Sequence, residues 1–278
     1  MSRARRMTRP ELDVVLDWAA AEGWNPGLDD ADAFWAADPD GFFVMEEDGA
    51  PVAAISVVNH SDTFAFLGLY ICRPSHRGRG IGYALWTHAL DHAGTRTVGL
   101  DGVVAQQENY RRSGFVNAGA TLRFVGNPSG AISGSVRAML PADREAVVAL
   151  EAAASGWEKP RYMRAWLDGT PSRRTYVMAR DGICTGAATV RACREGAKIG
   201  PLVAGDVDEA WTLVAHLAAT TGGPITIDVP AQAHAMVRRL ESDGMEMTFE
   251  TARMYRGPMA TAPRGPSMIY GVGSLELG

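Results

Sequence analysis

The sequence predicts an α/β protein of two similar halves, each a mixed, mostly antiparallel sheet flanked by helices. Three observations support this fold class. The chain has 278 residues, which is long for one domain and comfortable for two of modest size. Its pattern repeats once at a nearly constant offset. Each half also runs through strands first and then through a strand, a loop, a helix and a further strand, which is typical of an α/β fold.

The internal repeat is visible in matched residues. Under a shift of 133 positions the pairs are Val15 with Val148, Trp24 with Trp157 and Gly49 with Gly182. Further along, a shift of 130 pairs Gly114 with Gly244 and Arg123 with Arg253. Between the halves, residues 126–130 form a turn-rich linker. We therefore predict an N-terminal domain over residues 1–128 and a C-terminal domain over residues 135–278.

The elements of the first half follow in order from periodicity. Leu12, Val15, Leu16 and Ala19 have the spacing of one helix face. Asp48 and Gly49 join two apolar runs as a hairpin turn. The predicted elements after it are a strand over 64–72, a helix over 83–93, a strand over 98–104, a short helix over 110–113 and a strand over 122–125. We also predict that residues 267–274 cross back and complete the first half's sheet.

Composition excludes several classes of protein. The net charge of −5 argues against a nucleic-acid binder, because phosphates need a surplus of Lys and Arg. The three cysteines are too few and too far apart for a disulfide framework or a zinc site, so we expect no metal. No apolar run approaches the ~20 residues that a membrane span needs, and the basic N-terminus lacks the apolar stretch of a secretory signal. We expect a cytoplasmic protein without nucleic-acid or membrane partners.

A glycine-rich loop, Arg77-Gly78-Arg79-Gly80-Ile81-Gly82, carries the main chemical signal. Its glycines let the backbone approach a pyrophosphate closely. The helix that follows adds free N–H groups and the positive end of its dipole. Arg77 and Arg79 can add positive charge. The loop therefore predicts a phosphate cradle.

Other interpretations of this loop fit less well. A nucleotide P-loop ends in Gly-Lys-Ser/Thr, and this loop does not. The third glycine of a dinucleotide fingerprint would stand at Tyr83, and that fingerprint follows the first strand of its unit, whereas a hairpin precedes the loop here. A plain strand-to-helix turn rarely holds three glycines and two arginines.

Two segments resemble the GNAT superfamily of N-acetyltransferases. Arg77-x-x-Gly80-x-Gly82 is similar to the superfamily's acyl-CoA signature, and Tyr110-Arg-Arg-Ser-Gly114-Phe115 is similar to its Tyr-x-x-x-Gly-Phe segment. The resemblance covers residues ~1–126 by element order. With its internal repeat, the chain resembles a tandem subgroup of two GNAT-like domains in which the second copy is divergent. One departure is Val103, which stands where the superfamily often has an Asn.

The resemblance implies acetyl-CoA as the co-substrate, with its pantetheine arm paired along residues 70–73 like an added strand. The predicted cofactor-binding residues are Tyr70, Ile71, Cys72, Arg73, Arg77, Gly78, Arg79, Gly80, Ile81, Gly82, Tyr83 and Asn109. A thioester is already activated, so an amine can attack it directly once the two are positioned.

Tyr110 is the predicted general acid, because a phenol can hydrogen-bond or protonate a leaving thiolate. The general base is open among four carboxylates: Glu22, Asp29, Asp30 and Asp101. Asp101 interrupts an apolar strand, where burial would raise its pKa, but a structural acid bonded to backbone N–H groups explains it equally well. Asp228 holds the equivalent place in the second half, which favours the structural interpretation.

Glu22, Trp24 and Asn25 follow the first helix and are predicted to contact the acceptor, with Trp24 as a lid or cation–π surface. Common packing explains Trp24 as well, because Trp157 is its counterpart. The second half lacks the glycine loop and has Leu240 at the place of Tyr110, so we expect it to shape the acceptor pocket or an interface, including that of a homodimer.

The sequence thus predicts an acetyl-CoA-dependent N-acetyltransferase acting on a small-molecule amine. A non-catalytic acyl-CoA sensor and a protein lysine or N-terminal acetyltransferase remain as alternatives.

Overall fold

The computed structural model describes residues 2–258 and 268–278. The first half contains β1 (Arg3–Arg6), α1 (Arg9–Ala21), α2 (Asp30–Ala37), β2 (Phe42–Glu47), β3 (Ala50–Asn59), β4 (Phe64–Cys72), α3 (Ile81–Leu90), β5 (Thr97–Val103), α4 (Gln107–Arg112) and β6 (Val116–Gly126). The second contains β7 (Val136–Ala138), α5 (Arg144–Ser155), α6 (Pro160–Leu167), β8 (Arg173–Arg180), β9 (Ile183–Ala192), β10 (Ala197–Ala204), α7 (Val207–Thr220), β11 (Ile225–Pro230), α8 (His234–Ser242), β12 (Glu246–Arg256) and β13 (Met268–Gly271). Apart from β13 the order is the same, which confirms the predicted tandem α/β fold.

Local sequence explains where these elements begin and turn. Thr8 and Glu11 form a capping box at the start of α1, in which the Thr8 N–H donates to Glu11 Oε2 at 2.8 Å. Asp48 and Gly49 have φ values of 52° and 81°, as a tight hairpin turn requires. The predicted helix face Leu12, Val15, Leu16 and Ala19 is buried.

All the strands belong to one sheet of thirteen strands, in the order β1-β2-β3-β4-β5-β12-β6-β11-β10-β9-β8-β7, with β13 paired to β10. The parallel neighbours are β4 with β5 and β10 with β11; the other pairs are antiparallel. The sheet is therefore mixed and mostly antiparallel, as predicted.

The last long strand of each half is exchanged. β12 from the second half lies between β5 and β6, and β6 from the first half lies between β12 and β11. The prediction that residues 267–274 complete the first half's sheet is wrong, because β13 pairs with β10 and β12 takes that role; residue 267 itself lies outside the described residues. The longer β12 forms six pairs with β5, which the short β13 could not match.

One core cluster joins the two halves on the face of the sheet that α1, α2, α5 and α6 cover. In it Phe34 stacks on Trp166 with ring centroids 6.2 Å apart. The opposite face has a separate cluster in each half, under α3 in the first and under α7 and α8 in the second. The shared cluster and the exchanged strands make the two halves one packed unit.

Candidate active site

An opening in the sheet lies between β4 and β5. The two strands pair from Phe64–Thr97 to Leu67–Leu100 and then separate. At the separation Leu69 has a φ of 46°, and β4 continues to pair with β3 on its other side. The edge of β4 at residues 70–72 that faces away from β3 is thus left without a neighbouring strand among those described. We call this separation of β4 and β5 the splay.

The glycine loop leads from β4 into α3. Gly78 and Gly80 have φ values of 73° and 76°, which favour glycine, and Gly80 is the residue before the first helical turn. No side chain caps α3, so its first N–H groups are available to an anion. Gly82 has a different role: a Cβ there would lie 2.7 Å from Tyr70 Oη, so the absence of a side chain leaves room for that hydroxyl.

The arginines of this loop are held by carboxylates. Arg77 pairs with Glu22 and also donates from Nε to the Cys72 carbonyl at 2.8 Å. Arg79 pairs with Glu47 at 2.8 Å and lowers the pKa of that carboxyl group. Glu22, predicted to contact the acceptor, therefore lies at the phosphate loop. A bound pyrophosphate would compete with Glu22 and Glu47 for these two guanidinium groups.

A groove of about 400 Å³ runs between α3 and α4. It brings together four predicted residues: Tyr70, Tyr83, Asn109 and Tyr110. The same groove also contains Trp86, Gln106 and Arg112, which were not predicted as site residues from the sequence. The glycine cradle, the free edge of β4 and this groove are contiguous and fit an acyl-CoA.

Tyr110 lies at the inner end of the groove. Its ring stacks on Trp86 at 5.3 Å and fits over Gly102, where a Cβ would come within 2.8 Å of the ring. Burial raises the pKa of Tyr110 well above its usual value and that of Tyr70 to about 12, so both phenols stay protonated at neutral pH. The Tyr110 hydroxyl makes no hydrogen bond to the described residues and is free to donate to a ligand.

Behind Tyr110 an interior cavity of about 60 Å³ opens on the other side of the splay. Tyr70 and Tyr110 line both this interior cavity and the α3–α4 groove. The remaining polar side chains of its lining come from both halves and include Asp101, Arg123, Thr251 and Glu276. Two compartments therefore meet at the two tyrosines.

Asp101 lines the interior cavity, but its carboxylate is fully engaged. Arg253 donates to both oxygens at 2.9 and 2.7 Å, and the hydroxyls of Thr121 and Thr251 donate to Oδ1. Burial raises the pKa of Asp101 while Arg253 opposes that shift. The equivalent acid, Asp228, pairs in the same way with Arg123, at 2.7 and 2.9 Å.

Trp24 and Asn25, the other residues predicted to contact the acceptor, lie in different places relative to the interior cavity. Trp24 lines the interior cavity, and its carbonyl accepts a hydrogen bond from Lys198 Nζ at 2.8 Å. Asn25 points away from the cavity, because its amide bonds the backbone of Glu195 through both Nδ2 and Oδ1. That contact docks the loop after α1 onto the second half.

Two further candidate bases, Asp29 and Asp30, are outside the interior cavity. Ser172 Oγ donates to Asp29 at 2.5 Å and lowers the pKa of that carboxyl group. Asp30 is buried beside Arg191 and Arg173, at 3.3 and 3.9 Å. Glu276, a further carboxylate in the lining of the interior cavity, lies in no sequence motif and was not predicted.

In the second half, the counterpart of the splay is filled by the chain itself. β10 pairs with β11 only over Ala197–Ile199, and beyond that β13 runs antiparallel to Leu202–Ala204. Under the offset of 132 that aligns Gly68 with Gly200, Leu202–Ala204 corresponds to Tyr70–Cys72. The loss of the loop and of the tyrosine is thus accompanied by a strand along the edge of β10 that corresponds to the free edge of β4.

Known proteins resemble this chain along both halves. The model of the acetyltransferase (GNAT) family matches residues 10–115, and that of an acetyltransferase (GNAT) domain matches residues 147–271. A holothin acyltransferase from Pseudoalteromonas sp. (strain SANK 73390) is 33% identical over 273 residues, covering 96% of this chain and 92% of that protein. The chain belongs to the GNAT acetyltransferase family.

Solved structures agree with this GNAT assignment at the level of fold. A structure from Pyrococcus horikoshii superimposes with a TM-score of 0.83 at 18% identity, covering 100% of this chain and 96% of that one. A tandem GNAT protein from the clavulanic acid biosynthesis pathway gives 0.63 at 16% identity, with 93% and 100% covered. The protein is thus a tandem GNAT acyltransferase. None of its described helices has the length and apolar character to cross a membrane.

Proposed function

We propose that this GNAT protein transfers an acetyl group from acetyl-CoA to an amine of a small molecule, by direct attack on the thioester. The observation that carries the proposal is the meeting of the α3–α4 groove and the interior cavity at Tyr70 and Tyr110. A thioester that enters from the groove side and an amine that enters from the cavity side would meet between them.

In this proposal the N-terminus of α3 and Gly78–Gly82 hold the pyrophosphate, and the free edge of β4 pairs with the pantetheine arm. The amine forms a bond to the acyl carbon and the carbon–sulfur bond breaks. The Tyr110 hydroxyl donates to the leaving thiolate, and its raised pKa means that the proton is present at neutral pH.

The small volume of the interior cavity favours a small acceptor. Its lining comes from Trp24, the exchanged strands and the segment of residues 272–278, and its volume is only about 60 Å³. A separate cavity of about 430 Å³ is lined by Trp157, Arg253 and Tyr255. The relative named holothin acyltransferase makes holothin a first acceptor to test.

The test measures CoA thiol release from acetyl-CoA with a panel of small amines that includes holothin. We expect turnover with at least one amine, and Tyr110→Phe should lower kcat by roughly 10²-fold while the Kd for acetyl-CoA stays unchanged. The matched control is Tyr176→Phe on β8, remote from the site, which should retain full activity.

Three results would contradict the proposal. Acetyl-CoA binding without turnover on any amine would favour a sensor, and acetylation of protein lysines alone would favour a protein acetyltransferase. Full activity of Tyr110→Phe would exclude this tyrosine as the general acid.

A further inference from the structure

Buried carboxylates in this protein have cationic partners, as the cost of burying a lone charge requires. The pairs are Asp30 with Arg191 at 3.3 Å, Asp101 with Arg253 at 2.7 Å, Glu151 with Lys159 at 2.8 Å and Asp228 with Arg123 at 2.7 Å.

Glu276 is different. The residue is 7% exposed, and within the described residues no Lys, Arg or His nitrogen lies within 4.0 Å of its carboxylate. Ser274 Oγ donates to Oε2 at 2.6 Å, whereas Oε1 accepts no hydrogen bond from the part of the chain that the structure describes. Arg123, Arg191 and Lys198 interact with Glu276 only at longer range. Their direct contacts are with Asp228, with Asp30 and with the Trp24 carbonyl.

The position of this carboxylate is also informative. Glu276 lines the interior cavity together with Tyr110 and Trp24. Its backbone carbonyl lies over Gly68, where a Cβ would be 2.0 Å away, so Glu276 is held directly against the splay of β4 and β5. Asp101, the other acid in this cavity, already accepts four hydrogen bonds.

We propose that Glu276 binds the ammonium group of the acceptor and takes its proton before transfer. The acceptor is then a primary amine that arrives as its cation and supplies the missing partner of the buried carboxylate. This inference rests on the proposed function. One proton moves from the ammonium to Glu276, and the neutral nitrogen bonds to the acyl carbon. As the carbon–sulfur bond breaks, the thiolate takes the proton of Tyr110, and the extra proton on the nitrogen of the new amide returns to the Tyr110 oxygen.

The test is Glu276→Gln, with the exposed Glu241→Gln on α8 as the matched control. We expect Glu276→Gln to lower kcat with the amine by at least about 10²-fold and to lose the acidic limb of the kcat/KM pH profile. Acetyl-CoA affinity by calorimetry should be unchanged. The melting temperature should stay close to that of the unaltered protein, because the amide keeps the shape of the side chain and can still accept the hydrogen bond from Ser274. Glu276→Asp keeps the carboxylate and should retain more activity than Glu276→Gln.

Two outcomes would overturn the inference. One is a Glu276→Gln enzyme with wild-type kcat and pH profile. The other is a loss of activity matched by a fall in melting temperature and in acetyl-CoA affinity, which would make Glu276 structural. Both differ from failure of the proposed function, in which the unaltered protein would acetylate no amine at all.

Discussion

Two reciprocal ion pairs explain why the same arginine recurs in both halves. Asp101 on β5 pairs with Arg253 on β12, and Asp228 on β11 pairs with Arg123 on β6. The paired residues are direct neighbours in the sheet register. Each strand acid thus bonds the arginine of a strand from the other half. The two ion pairs therefore fasten the exchanged strands in place.

His60 gives the protein a predicted sensitivity to acid. Its Nε2–H donates to the Leu277 carbonyl at 2.8 Å, and burial together with the charge of Lys159 lowers its pKa to about 3. An unfolded histidine titrates near 6.5, so below that pH the unfolded chain binds a proton that the folded chain refuses. Above about pH 6.5, His60 therefore does not reduce the free energy of unfolding. As the pH falls from 6.5 toward 3, the free energy of unfolding decreases by ~1.4 kcal/mol per pH unit.

We therefore expect His60→Gln to reduce the slope of unfolding free energy against pH between 6.5 and 5 by about one proton, measured by urea unfolding at each pH. His234→Gln, at an exposed position, is the control and should leave the slope unchanged. An unaltered slope in His60→Gln would show that His60 is protonated in the folded state.

At the scale of elements, the segment of residues 272–278 crosses both splays. A Cβ on Gly68 would lie 2.0 Å from the Glu276 carbonyl oxygen, and one on Gly200 would lie 2.0 Å from that of Val272. The two glycines are counterparts in the repeat, so the same close approach occurs once in each half. The segment places Glu276 in the lining of the interior cavity at the first opening.

Gly68→Ala and Gly200→Ala should each destabilise the protein by about 1–3 kcal/mol, because backbone atoms must move to admit the methyl group. Gly134→Ala, with no atom within 4 Å of the added Cβ, is the control. In assays well below the melting temperature, only Gly68→Ala should lower kcat, because Gly68 contacts the backbone of Glu276 whereas Gly200 contacts that of Val272. Equal kcat losses in both variants would mean that the segment moves as one piece.

At the scale of the whole molecule, the structure predicts one acetyl-CoA per chain. The first half has the glycine loop, a free strand edge and Tyr110, whereas in the second half β13 covers the corresponding edge of β10 and Leu240 replaces the tyrosine. Calorimetric titration with acetyl-CoA should give a stoichiometry near one. A value near two would mean that β13 leaves its place on β10 and that the second splay is a working site.

Much of this architecture could be predicted from local sequence. Apolar spacing placed α1 and the strands, and Asp48 and Gly49 placed a hairpin. The glycine loop and Tyr110 led to the prediction of an acyl-CoA site, which stays a prediction. Periodicity and turn chemistry act over a few residues, so the chain displays them directly. The acceptor side could not be predicted in the same way: Asn25 proved to bond the second half, and Glu276 lies in no motif.

The sequence by itself determined the repeat, the order of elements, the family and the side of the site that a contiguous loop builds. Only the tertiary structure decided that β6 and β12 change places, that β13 fills the second splay, and that Glu276 enters the interior cavity of the first half. The physical reason is that strand partners and buried charges are selected by contacts between residues more than a hundred positions apart. Such contacts leave no periodic trace in the chain and are settled by which pairing satisfies the buried backbone and charges together.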